Sequence, residues 1–187
     1  MTEENVPENK NTYNIPEVIP ILALHNVMVF PKTMIPLEVS GIAALLVDEA
    51  MTKDRLVGLI MSKNEPEIPN HYKKEDLHEV GTCAVILKMA KTSENRTQML
   101  LQGVSRFKVE EIVEGKPYQQ ARIQLIEENE AKDIETEALM SNLLSLFDKI
   151  LKLSPFLPPE FGPMAKSINE AGTLADLIAS IINAPVE

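Results

Sequence analysis

The sequence predicts an α+β fold: a small mixed β-sheet closing into a pseudo-barrel with one helix, followed by a helical subdomain. Three observations carry this. Runs of strand length recur between Val18 and Ile126, separated by turn residues. Only one segment among them, residues 41–52, has helical spacing. After Ile126 the apolar period changes from that of a strand to that of a helix. The expected division is a disordered leader over 1–14, a sheet domain over 15–126, and the start of a helical region over 127–187.

Residues 1–14 lack apolar periodicity. The first strand is Val18–Leu24, where Pro20 favours an edge or a bulge because it has no N–H to give a neighbour. Val27–Pro31 and Met34–Val39 continue in extended style, since each proline holds the residue before it out of helical geometry. Ser40 is placed to cap the one early helix, with Ile42, Leu45, Leu46 and Met51 on one side. Leu56–Met61 reads as a buried strand, and residues 63–79 as a polar loop holding His71 and His78. Val80–Lys88 is another strand. A turn at Thr92–Arg96 leads to two further strands, Gln98–Val104 and Arg106–Val113, with Gly103 marking a bulge or bend. Tyr118–Ile126 is the last strand.

Beyond it, Leu139, Leu143, Leu146, Phe147, Ile150 and Leu151 form one helical stripe that ends at Ser154–Pro155. A second helix runs over 160–170 with Phe161, Met164, Ala165 and Ile168 inward, and Gly172 terminates it. Thr173 and Asp176 have capping-box spacing and start a third helix, which Ala184–Pro185 ends. Three helices with apolar faces left uncovered read as a truncated helical region.

Charge narrows the function classes. The chain of 187 residues carries a net charge of -10. Residues 1–125 hold 17 acids and 14 bases, and residues 126–187 hold 11 acids and 4 bases. Such a surface repels a phosphate backbone, so nucleic acid is not an expected partner. With 4% aromatic residues and no tryptophan, stacking platforms are scarce too. The polar, acidic start has no secretion-signal character, and no apolar run spans a bilayer, so the expected location is the cytoplasm and no membrane partner is expected. A single thiol, Cys83, reads as a buried strand residue in a reducing compartment.

Catalytic signatures are missing. The only Gly-Lys pair, Gly115–Lys116, is followed by Pro117 with Glu110 five positions earlier, so it makes no P-loop. There is no glycine-rich dinucleotide pattern and no nucleophile elbow. His25 reads as a hydrogen-bonded structural histidine. His71 and His78, beside Glu75, Asp76 and Glu79, do not match zinc-ligand spacing. Glu110 and Glu111 alternate across a strand, and Glu127, Glu128 and Glu130 suit the start of a helix. No catalytic residue, metal ligand or cofactor site is expected in this chain. The positive signal is apolar: Val27, Met28, Val29, Phe30, Met34 and Ile35 crowd a proline-punctuated stretch, and Met61, Met89 and Met99 add adaptable thioethers. Phe30, Met34, Ile35 and Met61 are the candidate binding residues.

The stretch Ile19–Pro31 with Ile35–Pro36–Leu37 resembles the amino-terminal domain of Lon proteases at Asn26, Phe30, Pro31, Pro36 and Leu37. Ala23 stands where that family has proline, and His25 where it has arginine. Val80–Gly81–Thr82, Leu101–Phe107 with Gly103 and Arg106, Pro117–Tyr118 with Ala121, Ser154–Pro155 and Leu174–Ala179 resemble later family segments, so the likeness covers about residues 15–183. The resemblance implies a PUA-like pseudo-barrel with one helix and a helical region after it. It also implies recognition and delivery of unfolded or damaged proteins, and a part in assembling the hexamer of an ATP-dependent serine protease. ATP and magnesium belong, by the same resemblance, to an ATPase module outside this sequence. A free-standing Lon-domain protein and an RNA-binding PUA-like module are the alternatives.

Overall fold

In the computed structural model one strand, β5 (Arg96–Val113), organises the sheet. The structure describes residues 13–182, apart from 26, 65, 67–70, 94–95 and 129–131. The expected leader up to residue 12, the middle of the Thr92–Arg96 turn, Asn26, Glu130 and the Ala184–Pro185 stop lie outside the described residues. The other strands are β1 (Val18–Leu24), β2 (Met34–Ser40), β3 (Leu56–Met61), β4 (Val80–Ser93) and β6 (Gln120–Leu125). One edge of β5 pairs with β4 along most of its length. Its other edge takes β2 over Arg96–Gln102 and β6 over Phe107–Val113. β3 joins β4, antiparallel, to β1, with which it runs parallel, and β1 reaches β6. The strands β5–β4–β3–β1–β6 therefore close into a ring, with β2 beside it.

Irregularities explain how so few strands close. Ala84 pairs with Gly103 and Cys83 with Ser105, so Val104 is an extra residue on β5, and a bulge bends the strand there. The two strands expected over 98–104 and 106–113 are thus one. A second shift between Val109 and Glu111 leaves Glu110 and Glu111 both exposed, where simple alternation places them on opposite faces. Pro20 does not put β1 at an edge. It sits where β1 changes partner, from β6 over Val18–Pro20 to β3 over Ile21–Leu24.

β3 is buried along Leu56–Ile60 because both of its faces are covered. Val57 and Leu59 pack with Leu46, Val47 and Ala50 of α1 (Ile42–Met51), while Leu56 and Ile60 pack with Ile19, Phe107 and Ile123. The Phe107 ring needs glycine opposite it: a Cβ on Gly81 would lie 2.5 Å from its Cζ. Ser40 does not cap α1. It ends β2, and Gly41, at φ 60°, makes the turn into the helix, a conformation that a residue with a Cβ adopts at a cost. Cys83 is buried as expected, and burial pushes its thiol up to about 12. Met99 is core as well, so it adds nothing to the adaptable surface.

The helical region holds α2 (Ile134–Leu153), α3 (Phe161–Lys166) and α4 (Ala171–Ile182). Asp133 caps α2 by accepting from the Thr136 N–H at 2.7 Å, so Glu127 and Glu128 precede the helix instead of opening it. The expected stripe on α2 is two stripes. Met140, Leu143, Leu144, Phe147 and Leu151 face α3 and α4, whereas Leu139, Leu146 and Ile150 turn outward. Leu146 and Phe147 differ by about 100° around the helix, and one contiguous reading merged two faces. In α3, Ala165 is buried but Met164 is exposed. Gly172 does not terminate α3, which stops at Lys166; it lies in the first turn of α4. Nor do Thr173 and Asp176 form a capping box. Thr173 Oγ1 donates to Glu170 at 2.7 Å, and Asp176 turns to Arg106.

Candidate functional site

Between β1 and β2 the chain crosses the end of the sheet as the segment Val27–Lys32, which turns at Pro31 and Lys32, where φ is 62°, and is held from below by hydrogen bonds. Thr82 Oγ1 donates to the Val29 carbonyl at 2.6 Å. The Lys32 N–H donates to the Gly103 carbonyl, and the Gly103 N–H to the Thr33 carbonyl, each at 2.9 Å. A Cβ on Gly103 would lie 2.1 Å from the Phe30 carbonyl oxygen, so only glycine admits this approach. Thr33 Oγ1 donates to that same oxygen at 2.7 Å. The bulge on β5 and the threonine of β4 therefore fix the segment's height and register.

With its backbone so held, the segment walls a cleft of about 410 Å³. Val27, Met28 and Phe30 line one side, and Leu59, Met61 and Val80 the ends of β3 and β4. Val29 anchors the segment in the core, while Met28 and Val80 are exposed. Lys63, His78, Glu79 and Arg106 are the charged or titratable members of the lining. Of the four candidate binding residues, Phe30 and Met61 come together here. Met34 and Ile35 do not line the cleft: Met34 is exposed on β2, and Ile35 packs against the core beside α1. Met28 and Val27 were legible as part of the apolar crowd. Arg106 was legible in a segment resembling the family, but its place in the cleft was not, because a cation in an alternating strand gives no signal of what it faces.

Arg106 ties this wall to the helices. Its guanidinium donates to Glu128 Oε1 at 3.0 Å and pairs with the buried Asp176 of α4. Burial pushes the Asp176 carboxyl above its ordinary value, and the Arg106 charge opposes that rise. Lys32, at the end of the segment, pairs with Glu170 and donates to Thr173 Oγ1 at 3.0 Å. The Lys32 ammonium, with help from the Thr173 hydroxyl, holds Glu170 below the usual carboxylate range. The cleft thus lies beside a polar seam between sheet and helices.

His25 serves structure. It stands between two hydroxyls, with Nε2 3.0 Å from Tyr72 Oη and Nδ1 2.7 Å from Ser62 Oγ. His78 lines the cleft, while His71 lies 3.9 Å from Glu114, so the two are not one cluster. Among the described residues no three His, Cys, Asp or Glu side chains gather at metal-binding geometry, and no helix is long and apolar enough to cross a membrane.

Comparison with known proteins adds to this geometry. The family model of the ATP-dependent protease La (Lon) substrate-binding domain matches residues 18–187. A Lon protease of Syntrophus aciditrophicus is 48% identical over 190 residues, taking in 100% of this chain and 24% of that protein. One of Desulfosudis oleivorans is 41% identical over 191 residues, taking in 100% of this chain and 23% of that protein. The chain so spans about a quarter of the length of the curated relatives it matches. Among solved structures, the N-terminal domain of Mycobacterium avium complex Lon protease superposes with a TM-score of 0.57 at 15% identity, covering 90% of this chain and 100% of that one. The Lon N-terminal domain protein of Xanthomonas campestris gives 0.52 at 16% identity, over 87% of this chain and 97% of that one. At those identities the two structures bear on the fold alone.

Proposed function

The chain belongs to the family of Lon substrate-binding domains, and on that premise we propose that it recognises unfolded or damaged proteins for a Lon-type ATP-dependent serine protease. The observation that carries this reading is the cleft: an apolar wall of Val27, Met28, Phe30 and Met61 on a backbone that β4 and β5 hold rigid. Methionine and phenylalanine accept many apolar side chains without a fixed shape, which suits partners that share exposed apolar residues and no common fold. Met34, exposed on β2, extends the contact surface outside the cleft. Binding is weak, because an unfolded partner loses conformational freedom on docking. A weak grip suits a domain that hands its substrate on.

In this reading the chain itself is not catalytic. Hydrolysis, and the ATP and magnesium that drive it, belong to other parts of the protease, which works in the cytoplasm. The domain also helps the subunits of the hexamer assemble. Nucleic acid is disfavoured by the net charge of -10 and because Lys32, Arg106, Lys108 and Arg122 each already face a carboxylate.

The test is titration of a labelled, permanently unfolded protein at low and high salt, beside a folded control and an RNA. The unfolded chain is expected to bind in preference to the folded one and to tolerate added salt. Equal affinity for the folded control, or tight RNA binding that collapses with salt, overturns the reading.

A further inference from the structure

The apolar cores of the described residues divide between the two regions, and none of them crosses from the sheet to the helices. What crosses is polar. Lys32 reaches Glu170, just ahead of α4, and the Thr173 hydroxyl in its first turn, while Arg106 reaches Glu128 and Asp176. Both cations belong to the cleft as well. Lys32 ends the segment that walls it, and Arg106 is part of its lining. The same two side chains therefore touch the cleft and the helices. The Arg106 link is the more enclosed: the side chains of Arg106 and Asp176 are 27% and 9% exposed, against 50% and 40% for Lys32 and Glu170. A buried carboxylate without its cation is strongly unfavourable, and Asp176 regains water when α4 leaves the sheet. Docking of the helices and the Arg106–Asp176 pair thus stand or fall together.

We propose that α4 docks reversibly on the sheet through Arg106 and Lys32, and that docking and occupancy of the cleft favour each other. Asp176 and Glu170 are positioning residues for the cleft, although neither lines it. This coupling rests on the substrate reading above and extends it to the helices. Its sign follows from Arg106. In the docked form two carboxylates fix the guanidinium. Undocked, Arg106 loses Asp176 and moves as a loosely held cation in the lining of an apolar cleft. An incoming apolar side chain then has to order or displace it, which weakens binding. Docking orders that cation before the partner arrives. By linkage, a partner that binds the docked form more tightly stabilises docking by the same factor. Lys32 adds a second and more solvated tie, whose loss alone leaves docking partial.

Electron–electron distance measurement between nitroxides on Ala90→Cys and Ala179→Cys tests it. These are exposed sites on β4 and α4, and Cys83 is buried. The partner is labelled lactalbumin kept unfolded by reduction and capping of its cysteines, its affinity read by fluorescence anisotropy. Circular dichroism confirms that each variant is folded. Asp176→Asn is expected to broaden the distance distribution and to weaken lactalbumin binding by about fivefold. Arg106→Gln, which leaves Asp176 unpaired, is expected to broaden it further. Arg106→Gln/Asp176→Asn is expected to narrow it again, because no buried charge is left. Glu170→Gln is expected to give a mixture that saturating lactalbumin shifts to the docked distance. A distribution that none of these charge variants moves overturns the coupling and leaves the substrate reading standing. So does an Asp176→Asn chain that binds as the parent does, a double variant that stays broad, or a Glu170→Gln mixture that lactalbumin does not shift. Lactalbumin that fails to bind the parent overturns the substrate reading, and the coupling with it.

Discussion

The sheet region and the helical region bury their apolar residues in different ways. β1, β3, β4 and β5 each contribute to two cores, and β6 to one of them. The three helices share one small core in which Phe147, Ala165, Leu174 and Ile178 are the buried members. The same helices, with the turn after α2, leave Leu139, Leu146, Leu153 and Phe156 exposed. Between the regions run ion pairs of Lys32 and Arg106, joined to Glu170, Glu128 and Asp176. A ring of long strands can satisfy its own backbone and close its own core. The three helices close a smaller core and leave apolar side chains in solvent. The comparison also sets the cleft where it is, on the rigid side of a polar joint.

The largest effect expected from breaking the comparison is in the sheet. Phe107→Ala removes the ring that fills the space above Gly58 and Gly81, and is expected to cost about 3–5 kcal/mol in chemical denaturation. Phe147→Ala is expected to cost about 3 kcal/mol or more within the helical core. Hydrogen exchange separates the two: amides of α2, α3 and α4 lose protection in the second variant while those of β3, β4 and β5 keep it. Uniform loss across the chain in both variants would mean one cooperative unit.

Smaller changes sharpen the joint and the cleft. Gly103→Ala forces a methyl against the Phe30 carbonyl, and is expected to cost about 1–3 kcal/mol and to displace the Val27–Lys32 segment, weakening capture of unfolded chains. Measuring stability and binding on the same sample separates displacement from unfolding. The smallest effect concerns acid. Lys53 chiefly, with Tyr118 and Lys116, holds Glu49 down to about 2 from 4.5. The folded carboxyl titrates below its unfolded value, so its contribution is full above about pH 4.5 and fades as pH falls towards 2. Glu49→Gln is expected to flatten that part of the stability profile slightly, because the site is open to solvent. Asp176 works in the opposite sense: its carboxyl is raised, so its contribution favours the fold at low pH and is lost as pH rises through the folded value.

Much of the sheet was legible because strand-length apolar runs and turn residues are local signals. The run Leu56–Met61 needed no partner to be read as buried, and Gly103 announced its bulge. The pairing was not legible. Nothing near Ser105 says that the segments on either side of it are one strand, since that follows from a bulge imposed by contact with Phe30, more than 70 positions earlier. In the helices the periodicity was plain, but which face meets α3 and α4 was not: α2 has two apolar stripes, and only tertiary packing decides between them. Phe30 and Met61 were readable as adaptable apolar residues. Their meeting in one cleft, and Ile35 turning to the core, depend on the path of the chain after β1. The pairing of Arg106 was not legible for a like reason, because its partners lie 22 and 70 positions away.

The most direct measurement of the central claim compares two apolar surfaces in one assay. An unfolded, labelled polypeptide is titrated against the parent chain, the cleft variant Met28→Ser/Met61→Ser and Leu146→Glu on the outward face of α2. The cleft variant is expected to bind about tenfold more weakly, and Leu146→Glu as the parent does. If Leu146→Glu abolishes capture while the cleft variant, still folded, binds unchanged, then the helical face holds the substrate and the cleft does not.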